Sequence, residues 1–317
     1  MNNKNIKVTV CCTTYNHEKY IRKALNGFVM QKTDFPFKVI VHDDASTDNT
    51  AEIIKEYAEK YPDIIKPILQ TENQYSKNPD AIYDYINPLI EGEYIALCEG
   101  DDYWIDEYKL QKQVTAMDSH QEIDMCVHGS LHHYVINDSY SPSPFNKDRN
   151  CIISQRETIF AGGGFVATSS ILYRSKLINN IPKFCEYFST DYFWQIYGSL
   201  RGGLLYLKDV MSVYNRGVEN SYSGRFFGEC KEHTKHFIET FKALNILNKE
   251  TNYKYCLTIK LKILQLKKRI VKMFGIKKIK EENYEFYRSI NFVTLLIIYI
   301  LIFISNIKDK LVNKSSA

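Results

Sequence analysis

Three apolar runs in the first hundred or so residues break off abruptly in polar residues, and nothing else in the chain constrains the fold as much. They are "VTVCCTTYN" (Val8 to Asn16), "KVIVHDD" (Lys38 to Asp44) and "EYIALCEGDD" (Glu93 to Asp102). Each reads as a short strand buried on both faces. Helical spacing fills the intervals: Tyr20, Ala24, Leu25 and Phe28 share one side, and Ile53, Ile54 and Tyr57 another, with Ser46, Thr47 or Asp48 placed to cap the second helix. "IIKPIL" (Ile64 to Leu69) reads as a further strand, which Pro67 sends to an edge or an irregularity. A helix is expected from about Pro79 to before Pro88. Strands and helices alternating in this way imply an α/β fold with a parallel sheet and right-handed crossovers. At 317 residues and 44% hydrophobic content, the chain can fill the core of one large domain, or of one domain with an appendage.

Ligands of such sheets bind at the carboxyl ends of the strands. Thr13 and Tyr15, Asp43 and Asp44, and Glu99, Asp101 and Asp102 all fall there, so three loops can converge on one crevice. Adjacent like charges raise each other's pKa and cost solvation, so an acidic pair closing a buried strand needs a reason. One pair alone fits helix capping and turn chemistry equally well. Acidic groups at two strand ends point instead to a cation and a phosphorylated ligand, because Mg2+ takes one or two carboxylates together with substrate phosphates.

The segments "VTVCCTTYNHEKYI", "VIVHDDASTDNT" and "GEYIALCEGDDYWIDEYKLQKQV", in this order, resemble the family 2 glycosyltransferases of GT-A fold, many of which build bacterial surface polysaccharides. The likeness runs from residue 5 to about 225. It implies a Rossmann-like, mostly parallel sheet flanked by helices, and a nucleotide-sugar donor, a UDP-sugar by expectation. By resemblance, Tyr15 stacks on the nucleotide base, Thr13 contacts it, and Asp44 accepts its imino hydrogen bond. Glu99 and Asp101 also belong to the donor site. The family's D-x-D motif holds a divalent cation, Mn2+ or Mg2+. Here it reads as Glu99-Gly-Asp101 or as the Asp101-Asp102 pair, and Asp101 and Asp102 are the expected metal ligands.

Inverting transfer builds negative charge on the leaving phosphate while an acceptor hydroxyl attacks from the opposite face, so a cation and one general base are the groups required. The resemblance gives the base as Asp191 in "FSTDYFWQIYG" (Phe188 to Gly198), with Glu186 in reserve; an acid favoured by a helix N-terminus is the plainer reading. The glycine-rich "GGGFVATSSILYRS" (Gly162 to Ser175) is expected to face acceptor or diphosphate, and Tyr103 and Trp104 either line the acceptor wall or pack. Where the family often carries Y-R-x-H, this chain reads "VYNRG", with Arg216 and no His. His128, His132 and His133 do not form a spaced zinc set, since a strand turns His133 away from the other two. A nucleotidyltransferase and a catalytically silent sugar-nucleotide binder are the alternative functions.

Charge divides the chain. Lys254 to Lys280 holds ten Lys or Arg and no acid, which leaves the rest of this +4 chain net acidic by six. Ile259, Ile263, Leu266, Ile270 and Phe274 recur there at helical spacing among Lys260, Lys262, Lys267, Lys268 and Arg269, a basic amphipathic pattern. The uncharged run Ile290 to Ile307 follows, at the short end of what spans a bilayer. The expected organisation is a catalytic domain over 1–225, a helical connector over 226–253 and a membrane-associating tail over 254–317. The expected partners are the donor, a glycan or lipid-linked acceptor and an anionic membrane surface, with no nucleic acid, at the cytoplasmic face. "MNNKNIKVTV" lacks the apolar core of a signal peptide, and eight cysteines without C-x-x-C spacing read as reduced thiols.

Overall fold

The computed structural model describes residues 5–78, 81–188, 190–218 and 229–302. Elements follow in chain order: β1 (Val8–Thr14), α1 (Ile21–Val29), β2 (Phe37–Asp43), α2 (Thr50–Lys60), β3 (Ile65–Leu69), α3 (Ala81–Ile86), β4 (Tyr94–Leu97) and β5 (Tyr103–Trp104). Then come α4 (Lys109–Asp118), β6 (Met125–Tyr134), β7 (Ser139–Pro142), β8 (Cys151–Ile153), α5 (Gln155–Ala161), β9 (Leu172–Arg174), α6 (Lys183–Tyr187), α7 (Asp191–Ser199) and β10 (Leu204–Arg216). The helices α8 (Cys230–Glu250), α9 (Cys256–Glu282) and α10 (Tyr284–Arg288) close the series, and residues 292–302 are also helical. The chain forms two compact units, residues 1–182 with 189–221, and residues 183–188 with 222–317.

In the first unit the strands run in the order β3-β2-β1-β4-β9-β6-β10-β5, with β7 beside β6 and β8 beside β10. The half built from β3, β2, β1 and β4 is parallel throughout, as the alternation of strand and helix requires, and the strand carrying Pro67 lies at its edge. Beyond β4 the sheet is mixed. The three residues of β9 pair antiparallel with both β4 and β6, β6 and β10 are parallel, and β5, β7 and β8 add antiparallel. Of these antiparallel pairs only β6–β7 joins strands that follow each other directly, as a short connection requires; the others bring together strands separated by helices.

Side-chain alternation in β1 fills two cores at once. Val8, Val10 and Cys12 face a cluster with Ile21, Ala24, Leu25 and Phe28 of α1, while Cys11 joins Ile40, Ile95 and Tyr173 on the other side. The adjacent cysteines therefore go to opposite faces, and all eight cysteines are free. Burial pushes the Cys11 thiol up to about 12, so it behaves as an apolar side chain.

The second unit is helical. Phe237, Ile238 and Phe241 of α8, Leu266, Ile270 and Val271 of α9, Phe286 and Ile298 share one core. The apolar stripe expected to meet a membrane is thus largely spent inside the protein, with Ile259, Leu266 and Ile270 buried. Lys267, counted among the attachment cations, is half-buried and donates to the Ser289 carbonyl. At Gly275, φ of 73° breaks the helical path of α9. No helix among the described residues is long and apolar enough to cross a membrane, and residues 303–307 of the uncharged run lie outside them.

Candidate active site

The loops after β1, β2 and β4 are tied together by short polar contacts. Asn16 (φ 56°) and Ala45 (φ 62°) both hold left-handed backbone, a conformation that non-glycine residues adopt at a cost. The cross-links hold them there: the Asn16 amide donates to Ser46 Oγ at 2.8 Å, and Asn16 Oδ1 accepts from the Thr47 amide at 2.8 Å. The Asp44 amide donates to the Thr14 carbonyl at 3.0 Å, and the Gly100 amide to the Thr13 carbonyl at 2.9 Å. A Cβ on Gly100 would stand 2.6 Å from Thr14 Oγ1, so only glycine lets the third loop lie on the first. Thr13 and Tyr15 are both half-buried at this junction.

The two aspartates ending β2 have different tasks. Asp43 folds back on its own turn, accepting from the Ser46 amide at 3.0 Å and the Ser46 hydroxyl at 2.5 Å. Burial lifts its carboxyl above the usual range, and Ser46 opposes that rise. The Asp44 carboxylate accepts from the amides of Gln74 and Tyr75 at 2.8 and 3.0 Å. Each of its oxygens keeps acceptor capacity beyond these bonds.

Glu99, Asp101 and Asp102 form the acidic loop. Burial lifts Glu99 well above the usual carboxylate range, and the charges of Asp101 and Asp191 add to the rise. Asp102 is 1% exposed. Its Oδ1 accepts from the Asn215 amide at 2.9 Å, and Oδ2 makes no hydrogen bond of good geometry. Burial, then Asp101 and Glu99, raise it strongly, while Asn215 and Ser169 oppose. Asp191 is the first residue of α7, and its Oδ2 accepts from the Thr168 hydroxyl at 2.7 Å. It keeps an exposed surface although protein surrounds its carboxyl; that crowding raises its pKa and the Thr168 bond works against it. An incoming hydroxyl can reach Asp191 through that exposed surface. Burial lowers the His17 imidazole, against the pull of Asp101, Asp48 and Asp43.

Carboxylates that raise one another are a set that a divalent cation would relieve, and their oxygens suit Mg2+ or Mn2+. Among the described residues no group of three His, Cys, Asp or Glu stands ready to hold a metal alone. The residues therefore fit a cation bound through one or two carboxylates, with the remaining oxygens supplied by a phosphorylated ligand.

Other expected residues lie as follows. Arg216 is exposed near the end of β10, its guanidinium 5.9 Å from the Tyr214 ring. Glu186 is exposed on α6, within the second unit. Trp104 is no acceptor wall: it is 2% exposed, meets Phe28 edge-on at 4.9 Å, and donates to the Ser169 carbonyl at 2.9 Å. Tyr103 stays half-buried, with Lys23 Nζ 5.2 Å from its ring. Of the histidines, His128 is buried and driven down to about 3 by that burial. Ser46, expected as a helix cap, instead donates to Asp43, and Asn16, Thr168 and Asn215 lie inside quoted motifs that gave them no role of their own.

A parallel half-sheet with three converging loops and an acidic strand end is the α/β architecture of the GT-A type. The model for glycosyl transferase family 2 matches residues 9–181, and the chain belongs to that family. The protein Rv1520 of Mycobacterium tuberculosis, described as uncharacterized, is 36% identical over 212 residues, which is 66% of this chain and 58% of that protein. The chain thus spans a little under three-fifths of that relative's length. The poly(ribitol-phosphate) beta-N-acetylglucosaminyltransferase TarS of Staphylococcus aureus is 35% identical over 118 residues, covering 36% of this chain and 19% of TarS. The crystal structure of TarS 1-349 in complex with UDP superposes with a TM-score of 0.59 at 19% identity, covering 87% of this chain and 75% of that one, and so agrees in fold.

Proposed function

We propose that this chain transfers a sugar, with inversion, from a nucleotide-diphosphate sugar to a hydroxyl of a growing, lipid-linked surface glycan. The observation that carries this reading is the union of the acidic loop with the first two strand-end loops, with Asp191 close enough to raise Glu99 by its charge. UDP is the favoured nucleotide, because TarS, which holds UDP in its crystal structure, shares both fold and sequence likeness. Thr13, Tyr15 and Asp44 hold the base and ribose. Glu99 and Asp101 face the diphosphate and its cation. Asp102 is turned inward onto Asn215, which favours the Glu99-Gly-Asp101 register for the metal over the Asp101-Asp102 pair.

A divalent cation, when bound, neutralises charge that grows on the departing phosphate. Asp191 accepts the proton of the attacking hydroxyl, and its raised pKa makes it a stronger base than an ordinary aspartate. The Thr168 hydroxyl fixes the orientation of that carboxylate. Membrane contact falls to the exposed apolar side chains of Phe292, Val293, Leu296 and Ile300, supported by the exposed cations Lys272, Lys277 and Lys280. Release of UDP from a panel of UDP-sugars, with Mn2+ present, tests the reading. The wild-type chain should turn over at least one donor, slowly to water and faster with a glycan acceptor. Tight UDP binding without turnover of any donor would leave a silent binder instead.

A further inference from the structure

Asn215 meets the acidic loop at two points. Its backbone N–H donates to Asp102 Oδ1 at 2.9 Å, and its side-chain Nδ2 donates to the Asp101 carbonyl oxygen. A carbonyl oxygen only accepts, so the carboxamide has one orientation, with Oδ1 directed away from the loop. There it lies 2.6 Å from His133 Nδ1, which donates to it. His133 is held in turn: Nε2 lies 2.8 Å from Asp138 Oδ1, and the ring stacks on Tyr140 at 4.3 Å and 11°. Strand register makes the alignment, with Asn215 opposite His133 in the β10–β6 ladder and His133 opposite Tyr140 in β6–β7. Both Asn215 and the His133 ring are buried.

We propose that Asn215, fixed by His133, is a positioning residue that sets the acidic loop for the donor's cation, directing Asp101 toward the ligand and drawing Asp102 away from it. The inference rests on the donor-site reading above. It assigns Asn215 and His133 no contact with substrate. Their effect passes through the loop, where one residue holds both the carbonyl of the Asp101 to Asp102 peptide and the Asp102 carboxylate. Partners one step removed from a metal's ligands typically change metal affinity by about 10–100-fold when removed.

The test titrates Mn2+ into the full chain at fixed UDP, reading UDP binding by calorimetry and the unfolding midpoint in parallel. Asn215→Ala should raise the Mn2+ concentration for half-maximal UDP binding by about tenfold or more. His133→Ala should raise it by a smaller factor. His133→Asn should restore most of the loss, because its side-chain NH2 occupies the place of Nδ1 and still donates to Asn215. A purely structural role would lower the unfolding midpoint and leave the Mn2+ requirement where it was. Unchanged Mn2+ dependence in folded His133→Ala, beside a wild type that responds to Mn2+, overturns the inference alone, even if Asn215→Ala fails to fold. A wild type whose UDP binding ignores Mn2+ overturns the donor-site reading and this inference with it.

Discussion

At Asp191 two effects act in opposite directions: surrounding protein raises the carboxyl and the Thr168 hydroxyl lowers it. A general base works deprotonated, so the rate should fall as pH drops through a value above the ~3.9 of an ordinary aspartate. Removing the hydroxyl donor in Thr168→Val removes the lowering influence, so the acid limb of the pH–rate profile should move to higher pH. A limb that stays put would show that the contact does not tune the base. Asp191→Asn keeps the shape and loses the proton acceptor, so turnover should fall by about 10² or more with little change in donor affinity. Near-normal turnover would transfer the role to another group. The pattern "STDYFW" put Asp191 at the start of a helix, where α7 begins, while its expected role as base came from the family resemblance. Thr168 was not legible, since its contact reaches across 23 residues of chain and depends on where β9 enters the sheet.

Among the elements, the loop from Cys98 to Asp102 depends most on one small residue. Gly100 lies so close to Thr14 and His17 that an added methyl must displace them. Gly100→Ala should therefore destabilise the first unit by about 1–3 kcal/mol, read as a lower urea midpoint, and weaken UDP binding as the loops separate. An unchanged midpoint with unchanged UDP affinity would contradict the close packing. The parallel strands and their acidic ends were readable because each is a continuous local pattern with its polar end in the same stretch of sequence. β10 illustrates what was not. "VYNRG" drew attention to Arg216, which is exposed, while its neighbour Asn215 reaches the loop only because β10 pairs with β6 and turns that side chain inward. Trp104 was ambiguous for the same reason: burial against Phe28 follows from how α1 packs, which periodicity alone does not report.

For the whole molecule, the sequence separated an acidic catalytic part from a basic tail, but periodicity did not distinguish an apolar stripe that meets lipid from one that meets other helices. Most of the α9 stripe meets α8 and α10. Exposed apolar side chains remain on residues 292–300, where Phe292 is 81% exposed, and at Leu257, Leu261 and Met273 of α9. Replacing Phe292, Leu296 and Tyr299 by Ser should reduce co-sedimentation with anionic vesicles at both low and high salt. Replacing Lys272, Lys277 and Lys280 by Gln should weaken it by about 1 kcal/mol per charge, a loss that added salt reproduces. Sedimentation unaffected by either set would move the membrane contact elsewhere in the chain. The central claim, that the acidic crevice of the first unit takes a nucleotide-diphosphate sugar through a divalent cation, is tested most directly by the Kd of UDP measured with Mn2+ and again with a chelator. The account predicts binding that is strong with Mn2+, and that either the chelator or Asp101→Ala weakens by an order of magnitude or more. Equal binding with and without the metal, or no UDP binding at all, would contradict it.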